Sequence, residues 1–180
     1  MPLRALVVYE SIYGNTHLVA NHIAIGLRAV ADVRVVPVAE ATRDVVSGVE
    51  FLVVGGPTHM HTVTTSKSRQ AAIEAAAKPG TDLTIDPDAE GPGLRDWFDA
   101  LELSAKPRAA AFDTRMDGPA MLTGRASRGI AHRLAHHGLE VIAPPKSFLV
   151  TRDNHLGTGV AESAEAWGAR LGQALLGVPA

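Results

Sequence analysis

Three short polar segments of this 180-residue chain carry the residue types that binding or catalysis requires. The first is Ser11-Ile12-Tyr13-Gly14-Asn15-Thr16, which gathers hydroxyls and an amide around one glycine directly before a helical pattern. Amides at a helix N-terminus attract anions, and closely spaced hydroxyls add donors. The segment has no Lys, so it is not a Walker-type loop, and it lacks the glycine spacing of a dinucleotide fingerprint. A phosphomonoester is the ligand those donors suit. The competing possibility is an ordinary strand-to-helix turn capped by Asn15 or Thr16.

The second segment is Gly55-Gly56-Pro57-Thr58-His59-Met60-His61-Thr62, whose glycines let backbone approach something closely. His59 and His61 alternate, but two imidazoles without a third ligand make a poor zinc site. The third, residues 113–118, offers Asp113, Thr114 and Arg115 to a crevice, unless it is a solvated turn closed by Gly118-Pro119. His132 and His136 stand one helical turn apart with His137 alongside, yet no carboxylate accompanies them in a metalloprotease pattern. They read as a polar helix face. No metal is expected, and no Ser-His-Asp or paired-carboxylate arrangement stands out.

These segments punctuate an alternation of strands and helices. An apolar run at Leu3–Tyr9 leads into the first segment, and from Thr16 the period changes, with Val19, Ile23, Leu27 and Val30 on one helical face. A β-branched run follows at 33–38, then a short helical stretch at 41–48. Residues 51–54 and 109–112 are further strands, each ending in one of the polar segments. Alanine-rich 66–78 is helix-prone, and 94–103 places Leu94, Trp97, Phe98 and Leu101 on one side. Residues 79–93, with three prolines and three glycines, read as a surface excursion. Ala126, Ile130 and Leu134 mark another helix, capped by Gly138. The last strand falls in 141–150, where Pro144-Pro145 places it at a sheet edge or bends it there. The final helix carries Val160, Ala164, Trp167, Leu171 and Leu175, and both tryptophans sit among apolar neighbours that make them core residues.

Five strands joined by helices imply an α/β, doubly wound parallel sheet of order 2-1-3-4-5. Ligands of such sheets bind at the carboxyl ends of the strands, so the segments after strands one, three and four share one rim. The composition agrees with one domain over 1–180: 46% hydrophobic, 20% charged, formal charge −2. That balance offers no footprint for nucleic acid or a membrane surface. The absence of cysteine excludes disulfides, iron–sulfur clusters and thiol nucleophiles. Apolar runs fall far short of the ~20 residues of a membrane span, and Glu10 comes too early for a secretory leader. A cytoplasmic protein is expected.

The stretch Val7-Val8-Tyr9-Glu10-Ser11-Ile12-Tyr13-Gly14-Asn15-Thr16 resembles the phosphate loop of flavodoxin-like proteins. The Tyr before Gly is similar to the branch holding the tryptophan-repressor-binding-type quinone reductases and the flavodoxin modules of flavodiiron proteins. Gly55-Gly56-Pro57-Thr58 resembles the second flavin loop of that family, and Phe112-Asp113-Thr114-Arg115 stands where the third belongs. The resemblance implies a flavodoxin-like fold that binds flavin mononucleotide (FMN). It assigns Ser11, Tyr13, Gly14, Asn15 and Thr16 to the phosphate, with Ile12 among the cofactor-binding residues of the same loop, and Pro57, Thr58, His59 and Met60 to one side of the isoalloxazine. Asp113, Thr114 and Arg115 go to its pyrimidine edge or opposite face. Neither ring-facing loop contains Phe, Tyr or Trp, so weak flavin binding dominated by the phosphate is expected. The implied role is electron transfer to a redox partner protein or reduction of a small acceptor such as a quinone. The alternative is a flavodoxin-fold binding protein that has lost flavin and takes another phosphorylated ligand or a partner protein.

Overall fold

The computed structural model describes residues 1–59 and 61–177. The central strand β1 (Leu3–Tyr9) shows how the sheet is built. Its side chains alternate between faces, and both faces are dry. Ala5, Val7 and Tyr9 enter one core and Leu6 and Val8 the other. The same division holds in β3 (Phe51–His59), with Phe51 and Val53 opposite Leu52 and Val54, and in β5 (Arg108–Met116), with Ala110 and Phe112 opposite Ala109 and Ala111. Strands apolar on both sides belong in the middle of a parallel sheet covered by helices.

With β2 (Ala31–Pro37) and β6 (Lys146–Val150), these strands form a parallel sheet in the order β2-β1-β3-β5-β6, the expected 2-1-3-4-5. A two-residue strand, β4 (Thr62–Val63), folds back antiparallel on the end of β3. One face is covered by α1 (Asn15–Leu27) and α7 (Val160–Leu175). These helices approach so closely that a Cβ on Gly26 would meet the Glu165 carbonyl, and one on Gly168 the Ile23 carbonyl. Against them pile Phe112, Phe148 and Trp167, with ring centroids 5.9–6.4 Å apart. The other face is covered chiefly by α4 (Leu94–Ala100) and α6 (Ala126–His136). Trp97 is buried there and donates its indole N–H to the Ala41 carbonyl. Short helices α2 (Arg43–Val46), α3 (Ser66–Ala76) and α5 (Ala120–Thr123) complete the chain. No helix among the described residues is long and apolar enough to cross a membrane.

Several boundaries differ from the sequence expectation. Strands β3 and β5 run five and four residues further than their apolar stretches, because the polar residues pair as well: Pro57 lies opposite Thr114. The last strand begins only at Lys146, immediately after the tandem prolines, and it is a sheet edge as expected. Residues 79–93 carry no helix or strand, but they are tied down. The Asp86 amide donates to the Ile12 carbonyl (2.8 Å), and Asp86 and Ala89 are buried.

Candidate functional site

Where β1, β3, β5 and β6 end, a cleft of about 330 Å³ opens. Parallel strands place all their carboxyl ends on one rim, which is why segments distant in sequence meet there. Ile12, Tyr13, Asn15 and Thr16 line it from the first loop, Pro57, Thr58 and His59 from β3, and Thr114, Arg115 and Met116 from β5. Met60 lies outside the described residues. Nine of the sequence-expected residues are thus brought together.

The first loop turns at Gly14, whose φ of +91° is the left-handed conformation that glycine adopts without strain. The Ser11 hydroxyl accepts the Gly14 amide at 3.1 Å and stays beneath the loop, buried and off the cleft lining. The Tyr13 ring reaches sideways to α3, its hydroxyl donating to the Ala72 carbonyl at 2.9 Å, and burial pushes its pKa up. Asn15 donates twice to Asn154, to its carbonyl and its side-chain oxygen, both at 3.0 Å. Thr16 and Thr114 share a buried hydroxyl–hydroxyl bond of 2.7 Å. The first turn of α1 has amides with no intrahelical partner, and they belong to a loop that borders the cleft.

The glycines of the second segment have a different use from the one their type suggests. The ring of Phe112 occupies the place of a Gly55 Cβ, and Leu94 Cδ1 lies 2.6 Å from that of Gly56. They admit core side chains. Thr58 accepts the Ala126 amide (2.9 Å) and Asp113 accepts the Ser127 amide (2.7 Å), so both cap the N-terminus of α6. Asp113 is wholly buried and lies off the cleft lining, because alternation in β5 directs it opposite to Thr114. Arg115 folds over its own turn, donating from Nη1 to the Gly118 carbonyl (2.7 Å) and the Thr123 hydroxyl (2.9 Å). Its Nε–H is buried with no partner. His59 is half-buried, and burial lowers its pKa although the charge of Glu10 pulls the other way.

Sequence reasoning overlooked five contributors. Thr151, Arg152 and Asn154, after β6, close one end of the cleft. As the polar turn after the last parallel strand they were bound to reach the same rim. Leu83 reaches in from the 79–93 segment, which has no periodicity to announce it. Glu10 is a buried tie, accepting hydrogen bonds from the Thr64 hydroxyl and the Leu94 amide (2.9 Å), with Arg69 at 3.5 Å. It anchors the end of β1 to the segments that shape the second loop.

No family model and no curated protein sequence matches the chain. Solved structures do. An archaeal flavodoxin superposes with a TM-score of 0.61 at 18% identity, over 95% of this chain and 97% of its own. The fold is flavodoxin-like. A WrbA-like flavodoxin protein from Agrobacterium tumefaciens gives 0.58 at 19% identity over 98% and 99% of the two chains. The flavodiiron core of a Synechocystis protein gives 0.63 at 17% identity, over 97% of this chain and 36% of that one. The flavodoxin-like order of strands puts the crossover reversal at β1 and β3, beside the cleft.

Proposed function

We propose that this chain is an FMN-binding redox protein, its flavin held in the cleft at the ends of β1, β3 and β5. One observation carries the proposal: the loop that opens α1 and a buried, unpartnered Arg115 Nε–H border the same cleft. The first suits a phosphate. The second suits a carbonyl acceptor on a flat, polar-edged ring, because an orphaned buried donor is costly until a ligand satisfies it. Bound there, FMN would supply reversible electron transfer to a redox partner protein or a small acceptor such as a quinone.

The chain's own residues divide the work. The α1 amides and the Thr16 hydroxyl would hold the phosphate. Pro57, Thr58 and His59 would line one side of the ring, with His59 uncharged near neutral pH because burial disfavours its cation. Arg115 would donate to the ring edge. With no aromatic side chain in the described part of either ring-facing segment, the phosphate contributes most of the recognition.

A second possibility, a flavodoxin-fold binding protein without flavin, is favoured by the pairing of Asn15 with Asn154 and Thr16 with Thr114, which commits phosphate-loop donors internally. Fluorescence titration separates the two. FMN binding with much weaker riboflavin binding supports the first, and binding of neither leaves the second. Oxidation of NADH with a quinone, without an added reductase, would then mark an enzyme rather than a carrier.

A further inference from the structure

We propose that His17, Asp86 and Asp88 form a binding site for a divalent cation of the zinc class, behind the first loop and outside the cleft. One ligand atom from each residue, a ring nitrogen of His17 and a carboxylate oxygen of each aspartate, lies within 4.8 Å of the other two. Nitrogen and oxygen ligands sit ~2.0–2.2 Å from zinc, so small side-chain turns bring all three onto one ion. The set is mixed, one imidazole and two carboxylates from separate segments, and that combination suits zinc better than magnesium, which prefers oxygen ligands and retains its waters.

Each ligand is held by a neighbour. The Tyr9 hydroxyl donates to Asp88 at 2.8 Å, and the Asp88 amide donates to Asp86 Oδ1 at 3.0 Å. The His17 ring stacks on Tyr9 with centroids 4.4 Å apart, which fixes its plane. Such orienting contacts are what a metal site needs beyond its ligands. The Asp86 side chain is 2% exposed, and its nearest charge partner is His17 at 3.2 Å, a cation only when protonated. A buried carboxylate with a second carboxylate beside it is poorly compensated without a fixed cation. A divalent ion supplies the missing charge. Access exists as well: His17 and Asp86 line an open cavity of about 360 Å³ with Asn21, Asp82 and Asp153, leaving room for water ligands.

An ion here would join the first turn of α1 to the 79–93 segment. Asp86 Oδ2 lies 3.9 Å from the position of a Gly14 Cβ, so the same ion would also offset the negative charge behind the phosphate loop. The site itself does not depend on flavin and is tested without it. Calorimetric titration of the chelator-treated chain with zinc chloride is expected to show one equivalent bound, at least tenfold more tightly than magnesium chloride. His17 is partly exposed, so His17→Gln should fold normally, and it should weaken zinc binding tenfold or more. Tyr9→Phe, which removes only the hydroxyl that holds Asp88, should cost ~10–100-fold in affinity. His132→Gln, on an exposed face of α6, should change nothing. Absence of zinc binding to the native chain, or His17→Gln binding zinc as tightly as native, would overturn the proposal.

Discussion

The hydroxyl pair Thr16–Thr114 offers a direct way to learn whether the first loop is a phosphate cradle. The two oxygens are 2.7 Å apart and both residues are at least 96% buried, so each hydroxyl has its partner and little access to water. Thr16→Val keeps the shape, deletes one hydroxyl and leaves that of Thr114 buried without its partner. The cost of such an orphan is ~1–3 kcal/mol of folding stability. Thr114→Val creates the mirror-image orphan at a similar cost, whereas the double variant leaves no orphan and should recover much of the loss. Stability alone therefore treats the two residues alike. FMN binding does not. If Thr16 donates to the phosphate, Thr16→Val removes a hydrogen bond to a charged group, again ~1–3 kcal/mol, which is roughly 5- to 150-fold in dissociation constant. Thr114→Val instead releases the Thr16 hydroxyl from its internal bond, and FMN affinity should hold or rise. Urea denaturation gives the first comparison and quenching of FMN fluorescence the second. Equal FMN affinity in native and Thr16→Val proteins would refute the phosphate role, as would equal losses in both single variants.

Three further outcomes are expected. Since burial holds the pKa of His59 below its ordinary value, the unfolded chain binds more protons as pH falls through about 6.5, so stability should decline toward acid, and His59→Gln should flatten that part of a pH-resolved urea series. Gly168→Ala should destabilise by ~1–3 kcal/mol, because its methyl would meet the Ile23 carbonyl; an unchanged thermal midpoint would show that α1 and α7 can separate freely. With FMN bound, Arg115→Gln should lower the midpoint potential, since a cation beside the ring favours the more negative reduced form, and coincident potentials would place the guanidinium out of reach.

Much of the architecture was legible before any coordinates. Strand runs apolar on both sides, separated by helical stripes, require a covered parallel sheet, and Pro144-Pro145 can stand only at its margin. Gly14 before a helix, with Asn15 and Thr16 following, likewise marks a strand-to-helix turn suited to anions, because those signals are local. Which polar side chain faces what is not local. Asp113 and Thr114 are neighbours in sequence, yet one caps α6 from the buried side and the other bonds Thr16 across the cleft, since β5 continues through them and alternates. Gly55 and Gly56 look like a ligand loop by type, and only the ring of Phe112 and the side chain of Leu94 show why they lack a Cβ. Asp86 looked like part of a solvated excursion, as any acid in an aperiodic stretch would. It is buried because contacts with Ile12 and His17, about seventy residues earlier in the chain, outweigh the preference of a carboxylate for water, and that balance exists only once the sheet has brought the segments together.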